Sequence, residues 1–286
     1  MSVRITGTTR IVGLFGFPVS HSLSPAMHAA AYEALNLNWS YVPFNVAPEF
    51  IPQAVDSIRA LNLVGVNVTV PHKAAVIEGL DWIDEAASRI SSVNTIHNVD
   101  GKLHGYSTDG PGFLDSLTAH GVTVAGQDFL VLGAGGSSRA IVFALAAANA
   151  RVVLTNRTRS RAEEIAASVN AFYPSSVTVA EPGQECGHID LIVNTTTMGM
   201  SSTEQTTPTL PPGMPYAGQT VYDIIYTPME TPLLKLALKS GCRTLNGVGM
   251  LAYQGARSIS IWTGLPLSEI PAQLMENTVL HELKLR

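Results

Sequence analysis

The run Val131-Leu132-Gly133-Ala134-Gly135-Gly136-Ser137-Ser138-Arg139-Ala140 constrains this chain more than any other segment. An apolar stretch, Phe129-Leu130-Val131-Leu132, stops at a cluster of glycines, and an alanine-rich stretch of helical character follows. Glycines let a backbone turn tightly and approach a ligand without Cβ clashes. A helix start then offers unpaired N–H groups and the positive end of its dipole to an anion. The usual fingerprint is G-x-G-x-x-G or G-x-G-x-x-A, whereas here Ser138 takes the third small position and Ala140 follows two residues later. Spacing alone therefore leaves a plain turn open. The context favours a nucleotide: a helix over 137–149 and a second strand at Val152-Val153-Leu154 complete a βαβ unit of about thirty residues.

The residues after that second strand select the cofactor. NAD sites place an acid there for the ribose 2′-hydroxyl, and NADP sites replace it with arginine near the 2′-phosphate. This chain reads Thr155-Asn156-Arg157-Thr158-Arg159-Ser160-Arg161, with no acid before Glu163. Guanidinium groups match phosphate oxygens in bidentate fashion. A solvated basic patch is the plainer alternative, but arginines at a helix start oppose its dipole and call for an anion. NADP is the expected cofactor.

At 286 residues, with 46% apolar and 14% charged residues, the chain can bury the cores of two ordinary domains. Its net charge of −5 argues against a nucleic-acid partner, which needs a basic face. Cys186 and Cys242 show no metal-ligand or redox spacing and are expected as free thiols. The eight histidines form no H-x-x-x-H or H-E-x-x-H pattern, so no metal is expected. Met1-Ser-Val-Arg-Ile-Thr-Gly lacks a secretory h-region and no apolar run reaches membrane length, so a soluble, cytoplasmic protein without a membrane partner is expected. The sequence is silent on oligomeric state, with a homodimer left open.

Strands and helices alternate through the first half. Ile11–Phe15, Trp39–Phe44, Val64–Val70 and Val93–Ile96 read as strands, and 48–61 reads as a helix. Ser24 with Pro25 reads as an N-cap and first helical residue, and Pro71-His72-Lys73 as the start of another helix. Such alternation predicts a mainly parallel sheet. The breaker-rich segment 105–112 marks a domain change, and strands follow near 128–132, 152–155, 176–180, 189–193, 219–224 and 243–245. The tail from Met250 is helical, and 201–218, rich in Ser, Thr and Pro, reads as a mobile loop. The expected class is α/β with two domains: a mainly parallel substrate-binding domain over 1–112, completed by 250–286, and a Rossmann-type domain over 113–249, with a cleft between them.

Ligands of open α/β sheets sit beyond the carboxyl ends of the strands. In the first half those positions hold Ser22 and Ser24, then Asn67, Thr69 and Lys73, with Asn94 in a later strand and Asp109 in the breaker-rich segment. Reducing a ketone requires a hydride donor and a proton for the developing alkoxide. Lys73 is the only lysine before Lys102 and is the candidate ammonium, with Asp109 as its partner. The plainer alternatives are an exposed lysine in a first helical turn, a turn-capping aspartate and helix-capping serines.

The segments that carry this chemistry also carry a resemblance. They are Gly16-x-Pro18-x-x-His21-Ser22-x-Ser24-Pro25-x-x-His28, Gly65-Val66-Asn67-Val68-Thr69-Val70-Pro71-His72-Lys73, Val93-Asn94-Thr95 and Gly105-Tyr106-x-Thr108-Asp109-Gly110. In the second half they are Gly133-Ala134-Gly135-Gly136, Asn156-Arg157-Thr158, Asn194-Thr195-Thr196, Tyr222-Asp223-Ile224-Ile225-Tyr226 and Asn246-Gly247-x-Gly249-Met250-Leu251-x-x-Gln254. Nearly end to end, the chain resembles the shikimate dehydrogenases. The resemblance implies reversible NADPH-dependent reduction of 3-dehydroshikimate to shikimate, in aromatic amino-acid biosynthesis, with Lys73 and Asp109 as the catalytic pair. It implies Ser22, Ser24 and Tyr226 on the substrate carboxylate, and Asn67, Thr69, Asn94, Asp109 and Gln254 facing the ring hydroxyls and the reacting oxygen. It implies that Gly133, Ala134, Gly135, Gly136 and Ser137 hold the diphosphate. Asn156, Arg157, Thr158, Arg159, Ser160 and Arg161 would hold the 2′-phosphate, and Ile224 and Gly247 would line the nicotinamide.

Two positions depart from the family pattern: Ala29 and Ser107 stand where asparagine is usual. They bear on substrate positioning and replace no catalytic group. Two other readings stay in view: an NAD-using quinate/shikimate dehydrogenase, and a non-catalytic NADP-binding regulator.

Overall fold

Alternating β-branched and alanine-rich segments give this chain twelve strands and nine α-helices among residues 5–200 and 206–285, which the computed structural model describes. In chain order they are β1 Arg10–Gly16, α1 Ser24–Ala34, β2 Trp39–Asn45, α2 Ile51–Ala60, β3 Gly65–Val68, β4 Trp82–Ile83, α3 Glu85–Ile90, β5 Thr95–Val99, β6 Lys102–Tyr106 and α4 Asp109–Ala119. They continue with β7 Asp128–Leu132, α5 Gly136–Ala147, β8 Arg151–Thr155, α6 Arg159–Asn170, β9 Val177–Ala180, β10 Leu191–Asn194 and β11 Thr220–Asp223. The last are α7 Pro232–Lys239, β12 Arg243–Leu245, α8 Val248–Thr263 and α9 Ala272–Lys284. Two units form: Met1–Gly112 with Leu251–Arg286, and Phe113–Met250.

The first unit holds a six-stranded sheet in the order β2-β1-β3-β5-β6-β4. β1 pairs in parallel with β2 and β3, and β4 pairs in parallel with β6. β5 runs antiparallel to both β3 and β6. The cause is the two-residue turn Asp100-Gly101, whose φ values of 51° and 82° are both positive, as a type I′ hairpin requires. The breaker-rich segment 105–112 holds the end of β6 and the start of α4, and the division between the units falls just after it, at Gly112. Two local expectations are corrected here. No α-helix starts at Pro71: Lys73 sits in a turn ahead of a single 3₁₀ turn, Ala75–Gly79, so it is not opposed by a helix dipole. Ser24 is likewise the first residue of α1 and not its cap; Leu23 occupies the cap position without a side-chain bond.

The apolar stripe Ile51, Val55 and Ile58 of α2 covers one face of this sheet, against Val66, Val68, Ile96 and Leu103. α1 packs against α9 and buries Met27, His28, Ala31 and Tyr32. His28 is fully buried and stacks on Tyr41, with ring centroids 4.1 Å apart. Neither of its ring nitrogens has a hydrogen-bond partner, and burial lowers its pKa from 6.5 to about 3.

The second unit holds six strands in the order β12-β11-β10-β7-β8-β9, all parallel. Counted from β7, this is the doubly wound 3-2-1-4-5-6 order of dinucleotide-binding sheets, with its switch point between β7 and β10. The continuous apolar strands Phe129-Leu130-Val131-Leu132 and Leu191-Ile192-Val193 suit a sheet covered on both faces. The loop expected over 201–218 lies partly outside the described residues, at 201–205; residues 206–218 carry no helix or strand. Residues 1–4, part of the segment read as lacking a secretory signal, also lie outside them. No described helix is long and apolar enough to cross a membrane, and no described cluster of three or more His, Cys, Asp or Glu residues could hold a metal ion.

Candidate active site

In the first unit the sheet gathers the polar residues at one edge. β1 and β3 are parallel, so the loop after β1 (Ser22, Ser24) and the segment after β3 (Thr69, Lys73) leave from the same ends. β5 runs the other way, so its amino end brings Asn94 to that edge, and β6 returns to deliver Thr108 and Asp109. The Lys73 ammonium donates to Asp109 Oδ2 at 2.5 Å. The two side chains are 18% and 9% exposed, so water screens this pair far less than a surface ion pair. Asn94 Nδ2 donates to the other carboxylate oxygen, Asp109 Oδ1, at 2.8 Å and to Thr108 Oγ1 at 2.9 Å. The Thr108 backbone N–H donates to Asn94 Oδ1 at 2.7 Å, which fixes the amide's orientation. Gln254, on α8, accepts from Asn94 Nδ2 at 3.3 Å.

Asn67 lies behind this pair. Its Oδ1 accepts from the Tyr41 hydroxyl at 2.9 Å, and its Nδ2 donates to Ser258 Oγ at 2.9 Å and Thr95 Oγ1 at 3.1 Å. Both ends of this amide are thus engaged by protein. Burial drives the Tyr41 hydroxyl pKa upward, with a smaller opposing contribution from Ser24. Ser22 Oγ accepts from the Ser24 backbone N–H at 3.2 Å, and Thr69 is half-buried just beyond β3. Sequence reasoning gave no role to Tyr41, Thr95, Thr108 or Ser258. One signal was available: Ser258 follows Gln254 by four residues and so shares its face of α8.

In the second unit, Gly133 ends β7 with φ of +105° and packs so close to Thr195 and Thr196 that a Cβ would clash at 2.8 and 2.9 Å. Ser138 Oγ donates back to the Gly133 carbonyl at 2.6 Å, tying the turn to α5. A Cβ at Gly135 or Gly136 would meet no protein atom within 4 Å. Packing within the protein therefore does not explain these two glycines, whereas a ligand lying on the backbone does. A cavity of about 420 Å³ is lined by Gly133, Thr155, Asn156, Arg157 and Thr196 among others. Ala134, Gly135, Gly136, Arg139 and Arg161 share a second, open recess.

The arginines of the basic run differ. Arg159 forms ion pairs with Glu163 and Glu181, each at 2.7 Å. Arg157 and Arg161 are exposed, with no carboxylate in ion-pair distance among the described residues. Asn156 Nδ2 donates to the Thr158 carbonyl at 2.8 Å, and Ser160 is exposed in the first turn of α6. Ser137 opens α5 beside the glycines. Gly247 lies so near Ile224 that any Cβ would overlap its carbonyl, and its N–H donates to the Ile225 carbonyl at 3.1 Å. Tyr226 is half-buried three residues beyond β11. Asp223 underpins this wall: burial raises its pKa, while the Thr231 hydroxyl, the Ile225 N–H and Asn194 Nδ2 donate to it.

A doubly wound nucleotide sheet in one unit, and a buried ammonium–carboxylate pair at the strand ends of another, define a nicotinamide-dependent oxidoreductase. Comparison with known proteins narrows the class. Residues 14–96 match the shikimate dehydrogenase substrate binding domain, 117–207 match shikimate / quinate 5-dehydrogenase, and 247–280 match the shikimate 5′-dehydrogenase C-terminal domain. The shikimate dehydrogenase (NADP(+)) of Desulforamulus reducens is 43% identical, over 98% of this chain and 97% of its own. A crystal structure of a shikimate dehydrogenase in complex with NADP+ superposes with a TM-score of 0.92 at 38% identity, covering 98% of each chain. The ligand-free 5-ketofructose reductase of a Gluconobacter strain superposes with a TM-score of 0.88 at 34% identity, over 96% of this chain and 99% of its own. The chain belongs to the shikimate dehydrogenase family.

Proposed function

We propose that this chain catalyses the reversible NADPH-dependent reduction of 3-dehydroshikimate to shikimate. The observation that carries the reading is the buried Lys73–Asp109 pair, with Asn94 on the second carboxylate oxygen. When bound, NADPH would supply the hydride that the carbonyl carbon takes up. Lys73 gives a proton to the carbonyl oxygen as it becomes an alkoxide, and in the reverse direction its neutral amine takes the hydroxyl proton. Asp109 holds Lys73 in place and balances its charge. Asn94 and Gln254 orient the ring hydroxyls, and the Ser22 and Ser24 hydroxyls serve the substrate carboxylate. Family membership and the short polar side chains of this edge support the choice of a small, hydroxylated acid.

For the cofactor, the open glycine backbone at 135–136 and the cavity that Asn156 and Arg157 line suit a dinucleotide. Arg157 and Arg161, which pair with no carboxylate among the described residues, are assigned to the 2′-phosphate, whereas Arg159 is engaged by Glu163 and Glu181. Arg157→Ala is expected to raise KM for NADP about 10- to 100-fold, as befits one charge-assisted phosphate contact, and to leave KM for NAD nearly unchanged. Arg159→Ala is expected to have the smaller effect. Steady-state kinetics with both cofactors checks the pair.

Turnover of shikimate, quinate and 5-ketofructose with each nicotinamide cofactor tests the reading as a whole. The highest kcat/KM is expected for shikimate with NADP. A higher value with NAD, with quinate or with the keto sugar would replace this assignment.

A further inference from the structure

We propose that the hydroxyls of Ser258 and Thr95 form a positioning junction that orients the catalytic carboxylate without touching substrate; this rests on the reading of Lys73 and Asp109 as the proton-transfer pair. Both side chains are fully buried, with their hydroxyl oxygens 2.8 Å apart. The junction takes both incoming protons from one amide. Asn67 Nδ2 reaches Ser258 Oγ at 2.9 Å and Thr95 Oγ1 at 3.1 Å. The outgoing protons are also placed: Ser258 Oγ can donate to Thr95 Oγ1 at 2.8 Å, and Thr95 Oγ1 to Asn94 Oδ1 at 3.2 Å.

Donors therefore run in one sense, from the Tyr41 hydroxyl through Asn67 and the two hydroxyls to Asn94, and end on the Asp109 carboxylate. Asn94 Oδ1 then has two donors, the Thr108 N–H and the Thr95 hydroxyl. Its amide has no alternative but to face Asp109. A carboxylate with Oδ1 so held presents Oδ2 to Lys73. Buried polar networks lose much of their directing power when one member is removed, because the remaining donors must re-pair. Serine is a mediocre helix former, and an apolar residue at this fully buried site on α8 would take an acceptor from Asn67 Nδ2, so the hydroxyl is what the site uses.

Ser258→Ala and Thr95→Val remove one hydroxyl each, the latter at constant shape. In the full chain each is expected to lower kcat about 10- to 100-fold, the scale of a slightly misplaced catalytic group. KM for NADPH should stay unchanged, and the pH profile of kcat should shift. Thr95→Ser, which keeps the hydroxyl, is expected to restore both. If the folded variants retain wild-type kcat and pH profile, or lose only thermal stability, the proposal is overturned. Should Ser258→Ala fail to fold, the contrast between Thr95→Val and Thr95→Ser decides the same question. If the wild type does not turn over 3-dehydroshikimate, the functional reading fails instead. The junction is then read from the side-chain amide NMR signals of Asn67 and Asn94, which Ser258→Ala must move.

Discussion

Lys73→Ala is expected to lower kcat by about 10²- to 10⁴-fold, the usual worth of a positioned general acid. NADPH affinity should be unchanged, because the residues assigned to the cofactor lie in the second unit. Lys102, the next lysine along the chain, cannot stand in. It starts β6, is 71% exposed and pairs with Asp81, at the end of its strand away from Asp109. Lys73→Arg separates two contributions. It keeps the positive charge beside Asp109 but does not release a proton at working pH, so it should be nearly as slow as the alanine variant. Stopped-flow reduction and fluorescence titration with NADPH measure the two quantities. Near-normal turnover in Lys73→Ala would remove this residue from the chemistry and favour a cofactor-binding protein without catalysis.

The second large effect is on stability in acid. His28 titrates near 6.5 when unfolded and at about 3 in the folded chain. Between those values the unfolded chain binds a proton that the folded chain does not, so stability rises with pH across this window and is fully present above 6.5. The slope from this one group approaches about 1.4 kcal/mol per pH unit, or roughly 2 kcal/mol in all between pH 6.5 and 4.5. Burial is the cause of the shift, and the rings packed around His28 are those of Tyr32, Tyr41 and Trp262. His97, whose pKa burial also lowers, adds to the trend with the same sign. Asp81, whose pKa the Leu103 N–H and Arg59 hold at about 2, contributes with the same sign only toward the acid end, below its ordinary value of 3.8. Urea unfolding at several pH values should therefore show a steep loss below pH 6.5 that His28→Phe flattens. An equal slope in that variant would place the acid sensitivity elsewhere.

The second unit was legible in the sequence almost strand by strand. Its sheet is wholly parallel and buried, so each strand is a short apolar run bounded by turns, and the glycine run marks its first crossover. The first unit was legible in its residues but not in its topology. Asn94, Lys73 and Asp109 stood out as polar groups near strand ends, yet an all-parallel sheet would have placed Asn94, at the head of β5, on the far side from Lys73. The antiparallel hairpin of β5 and β6 resolves this, and Asp100-Gly101 was its signal. The Ser258–Thr95–Asn67 junction left only the Gln254–Ser258 spacing as a local trace, because pairing across 163 and 191 residues follows from packing of α8. The basic run was legible as a set, but which arginine is spent on Glu163 and Glu181 emerges only from the fold.

The Asp100-Gly101 hairpin acts as a ruler. Thr95 faces Tyr106 and Val99 faces Lys102, so the two arms match residue for residue. Adding a pair of residues at the tip would lengthen the loop harmlessly, far from the chemistry. Deleting one residue from either arm would turn every side chain beyond it to the opposite face of the sheet. Natural length variation in this part of the chain should accordingly collect at the tip and spare the arms.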